Sequence, residues 1–155
     1  MTTASTARQM RAQIAADFIA ADFPPRIRAD YARKGRVLLA AFDALLSFPL
    51  DAAPFGPNGL AVAAGVTIPE ILDVLPYLIG ERSGLLSLRF VLQRADGTST
   101  DLPPASIQAP LAGAEVIDPV TGEAVADWMK HVVPILDRTD RLMRMTEDSH
   151  SSRLR

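Results

Sequence analysis

Residues 60–97 read LAVAAGVTIPEILDVLPYLIGERSGLLSLRFVLQRADG. A short apolar run ends at Gly65. Thr67-Ile-Pro-Glu70 then has capping-box spacing, with Thr at the cap, Glu three residues on, and Pro69 in the first turn, where a missing N–H costs nothing. A helix follows, in which Ile71, Leu72, Leu75 and Leu78 are expected on one face and Gly80 and Gly84 mark the end. From Leu86 the period changes to two. Leu86, Leu88, Phe90 and Leu92 alternate with Ser87, Arg89, Val91 and Gln93, the pattern of a half-buried strand. Asp96-Gly97 is a hairpin turn signal and Thr98 opens the returning strand.

Upstream, Met10, Ile14, Phe18 and Ala21 fall at helical spacing and predict a helix over Thr6–Asp22, closed by Pro24-Pro25. Residues 26–48 form the longest periodic segment. Ile27, Tyr31, Leu38, Phe42 and Leu45 share a face, and Gly35 weakens the middle by roughly 1 kcal/mol relative to Ala. The loop PLDAAPFGPNG, with three prolines and two glycines, separates that helix from the quoted stretch.

Downstream, residues 102–122 are loop-rich, with Pro103, Pro104, Pro110 and Pro119; Glu115-Val-Ile-Asp reads as a short strand and Asp118-Pro-Val-Thr-Gly122 as a turn. The segment after Gly122 is ambiguous between helix and strand. The favoured reading is a short helix over Glu123–Lys130, then an edge strand over Val132–Leu136, where Pro134 is tolerable. The last residues, TEDSHSSRLR, are polar enough to predict a disordered tail.

The chain has 155 residues, 48% hydrophobic and 22% charged, with a mean hydropathy of +0.15. That is enough apolar surface for one domain of ordinary size. No apolar run approaches the roughly 18–20 residues of a membrane span, and the Thr/Ala/Ser-rich start lacks the apolar centre of a signal peptide. A cytoplasmic protein without membrane association is the expectation. Cysteine is absent, which removes disulfides, thiolate metal sites and Cys nucleophiles together. Net charge is −2, so overall charge makes no case for a polyanion partner.

The quoted stretch resembles a winged helix-turn-helix domain. Ala61 stands where that family needs a small residue for close helix approach. Gly65 stands at the tight turn, and Leu60, Ala64, Val66, Ile71 and Val74 stand at the anchoring positions. GERSGLL with the strand after it resembles the entry into the wing. The resemblance covers about residues 26–101, half the chain. It implies an α+β fold: a winged helix-turn-helix core with an N-terminal helix and a loop-rich C-terminal extension containing a short helix and strand. The implied organisation is 1–25 as an N-terminal helical segment, 26–101 as the winged-helix-like domain, 102–145 as an extension packed on it, and 146–155 as the tail.

In such folds the second helix reads the major groove through Arg, Lys, Asn or Gln. Here it offers Glu70, Asp73, Pro76 and Tyr77. Carboxylates have the wrong sign for phosphates, whose neutralisation drives nonspecific binding, and Pro76 removes the donor that would bond the Leu72 carbonyl. Protein docking is the alternative, through Val74, Tyr77 and Ile79, since aromatic residues are enriched at interface centres; equally, these residues pack on the terminal segments. Self-association through Met10, Ile14 and Phe18 fits the same reading. A DNA-binding regulator remains the second reading, using Arg26, Arg28, Arg33, Lys34 and Arg36 of the basic helix with Arg89 and Arg94 of the wing. A solvated arginine-rich face explains the basic run more simply.

No catalytic constellation is visible. His131 is the sole histidine outside the polar tail, and the sequence has no HExxH, GxxxxGK[ST] or GxGxxG. Asp118, Glu123 and Asp127 read as turn chemistry, and Trp128 as a core anchor. The expectation is a non-catalytic interaction module, an adaptor or assembly subunit with no cofactor and no metal, whose partner is another protein or a second copy.

Overall fold

A computed structural model describes residues 3–19, 22–102 and 116–153. The expectations for Ala21, for the loop-rich 103–115 (with Pro103, Pro104, Pro110 and Glu115) and for 154–155 fall outside the described residues. Within them the fold is mixed α+β, five helices and a three-stranded antiparallel sheet.

The helices α1 (Thr3–Phe18) and α2 (Pro25–Ser47) come first. α1 ends earlier than its apolar spacing suggested, and Pro25 serves α2 as a first-turn residue rather than serving α1 as a stop. Gly35 has a tertiary reason to be in α2. A Cβ there would lie 2.7 Å from Ile19 Cγ1 and 2.9 Å from Phe18 Cβ, so the end of α1 rests on bare backbone. Gly35→Ala is therefore expected to destabilise. The helix-propensity gain of about 1 kcal/mol is outweighed by overpacking against a Phe18 Cβ that the backbone holds in place. The net loss of about 1–2 kcal/mol would lower Tm by roughly 2–8 °C in thermal unfolding.

Next come α3 (Pro57–Ala64) and α4 (Ile68–Ile79). Gly65 takes the left-handed conformation, φ 71°, and its N–H bonds carbonyls of α3. The Thr67–Glu70 capping box forms in both directions. At the far end of α4 the buried Ser83 hydroxyl donates to the Tyr77 and Leu78 carbonyls, 2.6 and 3.1 Å away, satisfying acceptors that the helix end leaves open.

The sheet has the order β2-β1-β3: β1 (Leu86–Gln93), β2 (Ser99–Leu102) and β3 (Val132–Arg138). β3 crosses back to pair with β1 along its whole length, Leu86 opposite Arg138 and Leu92 opposite Val132. Pro134 is accommodated because the Leu136 N–H, two residues on, points away from β1 and bonds the Phe55 carbonyl at 2.7 Å. By the two-residue period, the missing N–H of Pro134 falls on that same outer side. Arg138 secures the preceding loop through the carbonyls of Pro49, Leu50 and Ala52.

One alternating face of β1 serves two apolar clusters. Leu86 and Leu88 join the main core with Met10, Ile14, Leu38, Phe42, Leu60, Ile71 and Leu78. Phe90 and Leu92 join a smaller one with Leu102, Val116, Val125, Trp128 and Val132. Trp128 packs, partly buried, against this second cluster. The helix expected over Glu123–Lys130 is reduced to a single 3₁₀ turn, Trp128–Lys130, entered through Asp127 at φ 50°. Before it, Gly122 N–H closes the expected turn onto the Asp118 carbonyl.

The tail contradicts its composition. Residues Asp140–Arg153 form α5, and Leu142, Met145 and Thr146 are fully buried. The Thr139 hydroxyl accepts from Leu142 N–H and donates to the Gly84 carbonyl, fixing where α5 starts. His150 bonds the Leu46 carbonyl of α2 at 3.0 Å. The expectation of a disordered tail therefore fails over residues 146–153: an apolar stripe of few residues is enough when α1 and α2 cover it.

Candidate functional site

Turns of 3.6 residues distribute the side chains of α4 over two faces. Ile71, Val74, Leu75 and Leu78 point inward and are buried. Ile68, Leu72 and Ile79 point outward, 42%, 50% and 37% exposed. Pro69, Asp73 and Pro76 are also exposed on that side. One residue changes place relative to the sequence reading: Leu72 lies on the outer face, out of step with the 71, 74, 75, 78 stripe. Val74, expected either as an anchor or as a docking residue, lies inside that stripe. The charged groups of the helix are Glu70 and Asp73. Glu70 is committed to the cap, and its carboxyl is held below its ordinary value first by the Thr67 N–H, then by the Thr67 hydroxyl. Asp73 has no ion-pair partner among the described residues.

Tyr77 does not extend this outer face. Its hydroxyl donates to Asp17 of α1 at 2.7 Å and accepts from Gln13 at 3.0 Å. Arg82 grips both Asp17 oxygens, at 2.5 and 2.6 Å, and the Phe18 ring meets Tyr77 edge-on at 5.1 Å. The Arg82 hydrogen bond lowers the Asp17 carboxyl from its ordinary value, while burial raises the Tyr77 phenol. The cluster ties α1 to α4. Met10 and Ile14, expected as a self-association surface, are 1% and 0% exposed and belong to the main core. Phe18 packs partly buried against it. Their apolar face is already covered within the chain, so it is not a surface. Of the six residues proposed for docking, Ile79 alone is exposed.

The basic set is dispersed and largely engaged. On α2, Arg33 and Lys34 both pair with Asp30, and Arg28 holds the Phe23 carbonyl and approaches Asp22. Arg26 and Arg36 are exposed and carry no ion pair among the described residues. On the sheet, Arg89 bonds Asp137 at 2.7 Å and Asp101 at 3.0 Å. Arg94 bonds both oxygens of Asp118 at 2.8 Å, with Thr100 at 2.6 Å. These two arginines stitch strands and loop together, so the cation presented to solvent is already balanced.

The Arg94–Asp118 pair borders a cavity of about 270 Å³ lined also by Gln93, Val125 and His131. Its two charged groups, Arg94 and Asp118, are spent on one another. Gripped by Arg94 and by the Val120 N–H, the Asp118 carboxyl sits well below its ordinary range. A depressed native pKa contributes stability above the unfolded value and loses it as pH falls. Asp118→Asn is thus expected to lower Tm at pH 7 and to flatten the decline of Tm below about pH 4, where an unfolded Asp protonates. Thermal unfolding of both proteins between pH 7 and pH 2 measures this.

Among the described residues, no group of three or more His, Asp or Glu side chains is placed to hold a metal ion. No single helix there is long and apolar enough to cross a membrane. α3 and α4 pass that test only as a pair bent by 107°, and Leu60, Ala61, Ile71 and Leu78 of that pair lie in the core. No protein-family model, curated protein or solved structure matches the chain.

Proposed function

We propose that the protein is a non-catalytic interaction module with a winged-helix arrangement, in which the outer face of α4 docks a protein partner. The order of α3, the Gly65 turn, the capped α4 and the β1–β2 hairpin supports the winged-helix reading. The outer face of α4 carries the functional one: three large apolar side chains stand exposed along the helix that a DNA reader would use for bases, and its free charge is a carboxylate. Isolated exposed apolar residues are ordinary, but a contiguous group on one helix face marks a contact surface. Docking withdraws these side chains from water, which favours association without any base-reading or phosphate-neutralising group.

The second reading, a DNA-binding regulator, draws on Arg26 and Arg36. It loses Arg89 and Arg94 to Asp137, Asp101 and Asp118, and Arg33 and Lys34 to Asp30. Two experiments test the proposal. Anisotropy with random duplex DNA at 50 mM salt is expected to show no micromolar binding; tight binding that weakens steeply with salt would favour the regulator. A photo-crosslinking residue at Leu72, introduced in the native host, is expected to give protein adducts absent when it stands at the exposed Glu123. Equal adducts from both positions, or adducts to nucleic acid, would overturn the docking reading.

A further inference from the structure

The chemistry of the α4 surface narrows what it can receive. Beside Ile68, Leu72 and Ile79 stand a carboxylate without an ion pair among the described residues and a backbone carbonyl without its i+4 helical donor. The carboxylate is that of Asp73. The carbonyl is that of Leu72, whose helical donor would be the N–H of residue 76, and residue 76 is Pro. Leu72 and Pro76 both face outward, so this acceptor opens onto the docking surface. Just past the helix, Glu81 adds another exposed carboxylate with no ion pair among the described residues. Apolar groups beside the unpaired carboxylates Asp73 and Glu81 are complementary to apolar groups beside cations.

A second copy of the chain meets this requirement poorly. A two-fold contact sets each patch against itself, and the midpoint of Ile68–Ile79 lies at Asp73–Val74. Antiparallel pairing of α4 with its mate would bring the two Asp73 carboxylates together and leave both Leu72 carbonyls without donors. A nucleic acid backbone, itself an array of acceptors, fails for the same reason.

We infer that the occupant of the α4 face is an amphipathic segment of another protein, whose apolar ridge packs on Ile68, Leu72 and Ile79 and whose Lys or Arg side chains reach Asp73 and the Leu72 carbonyl. This rests on the docking reading above and adds the charge of the partner. Helical segments of this kind engage grooves through residues spaced i, i+3, i+4 and i+7, and complementary charge selects among apolar partners of similar shape.

The test is selection of a random phage-displayed peptide library on the full chain, followed by anisotropy titration of the enriched peptides. Leu72 and Asp73 are exposed, so Leu72→Glu and Asp73→Lys should fold as the parent does, which circular dichroism checks. The expected result is enrichment of peptides with apolar residues at helical spacing and Arg or Lys beside them. Leu72→Glu should weaken them about ten-fold or more. Asp73→Lys should weaken them several-fold, and fresh selection on it should yield acidic peptides. Neutral or acidic peptides from the parent that still depend on Leu72 would overturn the inference while leaving the docking surface standing. A Leu72-dependent dimer in light scattering would overturn it in favour of a second copy. If no enriched peptide depends on Leu72, both the inference and the docking reading fall.

Discussion

Ile14→Asp is expected to unfold most of the protein at room temperature rather than to disperse an oligomer. Ile14 is 0% exposed in the main core, facing the interior between α1 and its neighbours. An Asp there places a carboxylate among apolar side chains with no prepared partner. Substitutions of this kind belong to the small class costing about 4–5 kcal/mol or more, a large share of the roughly 5–15 kcal/mol that holds a domain together. Ile14→Val, which removes one methylene, should cost only about 0.5–1.5 kcal/mol. The contrast separates two roles for the α1 face. A face that formed a dimer would lose its mate on charge insertion and leave a stable monomer. A core face loses the fold. Thermal unfolding with light scattering on both variants distinguishes them, and an Ile14→Asp protein with unchanged Tm would refute the placement of α1.

The second large effect is expected at the other end of the chain. Leu142→Ala with Met145→Ala should cost about 4 kcal/mol or more, since each buried large-to-Ala change costs roughly 2–5 kcal/mol. The two sit one turn apart and share surroundings, so their costs will not simply add. Arg144, exposed between them, provides the control: Arg144→Ala should stay within about 0.5 kcal/mol. Urea unfolding of the three proteins reads the difference. A disordered tail would show no effect from any of them, so a double variant as stable as the parent would remove α5 from the core.

Both predictions concern segments whose sequence pattern was visible but whose meaning was not. Periodicity tells which side of a helix is apolar; it does not tell what lies against that side. Met10 and Ile14 carry a helical apolar stripe that suits self-association, and the fold spends it on its own core. In α5 a narrow stripe, Leu142, Met145 and the buried Thr146, was outweighed by the polar residues around it. Local chemistry was more legible. The Thr67–Glu70 box, the Gly65 turn and the alternating β1 each depend on groups a few residues apart, and each stands where the residue pattern put it.

On α4 Leu72 lies one residue past the buried Ile71 and about 100° round the helix from it, far enough to turn it outward, while Val74, legible both as an anchor and as a docking residue, lies in the inner stripe. The arginines of the sheet could not be judged locally at all. Arg89 meets Asp137 across 48 residues of sequence and Arg94 meets Asp118 across 24, and it is those long-range partners that turn two candidate phosphate ligands into ties within the fold. The amino-acid sequence by itself determined the mixed α+β character, the capped helix after a glycine turn, the hairpin, and the acidic, proline-bearing surface of that helix, because capping, turn and strand signals act over short stretches of chain. The tertiary structure alone decided that both terminal helices are core, that the basic residues of the sheet are already matched, and that Ile68 and Leu72 face outward. Burial and charge pairing are set by neighbours brought together from distant parts of the chain.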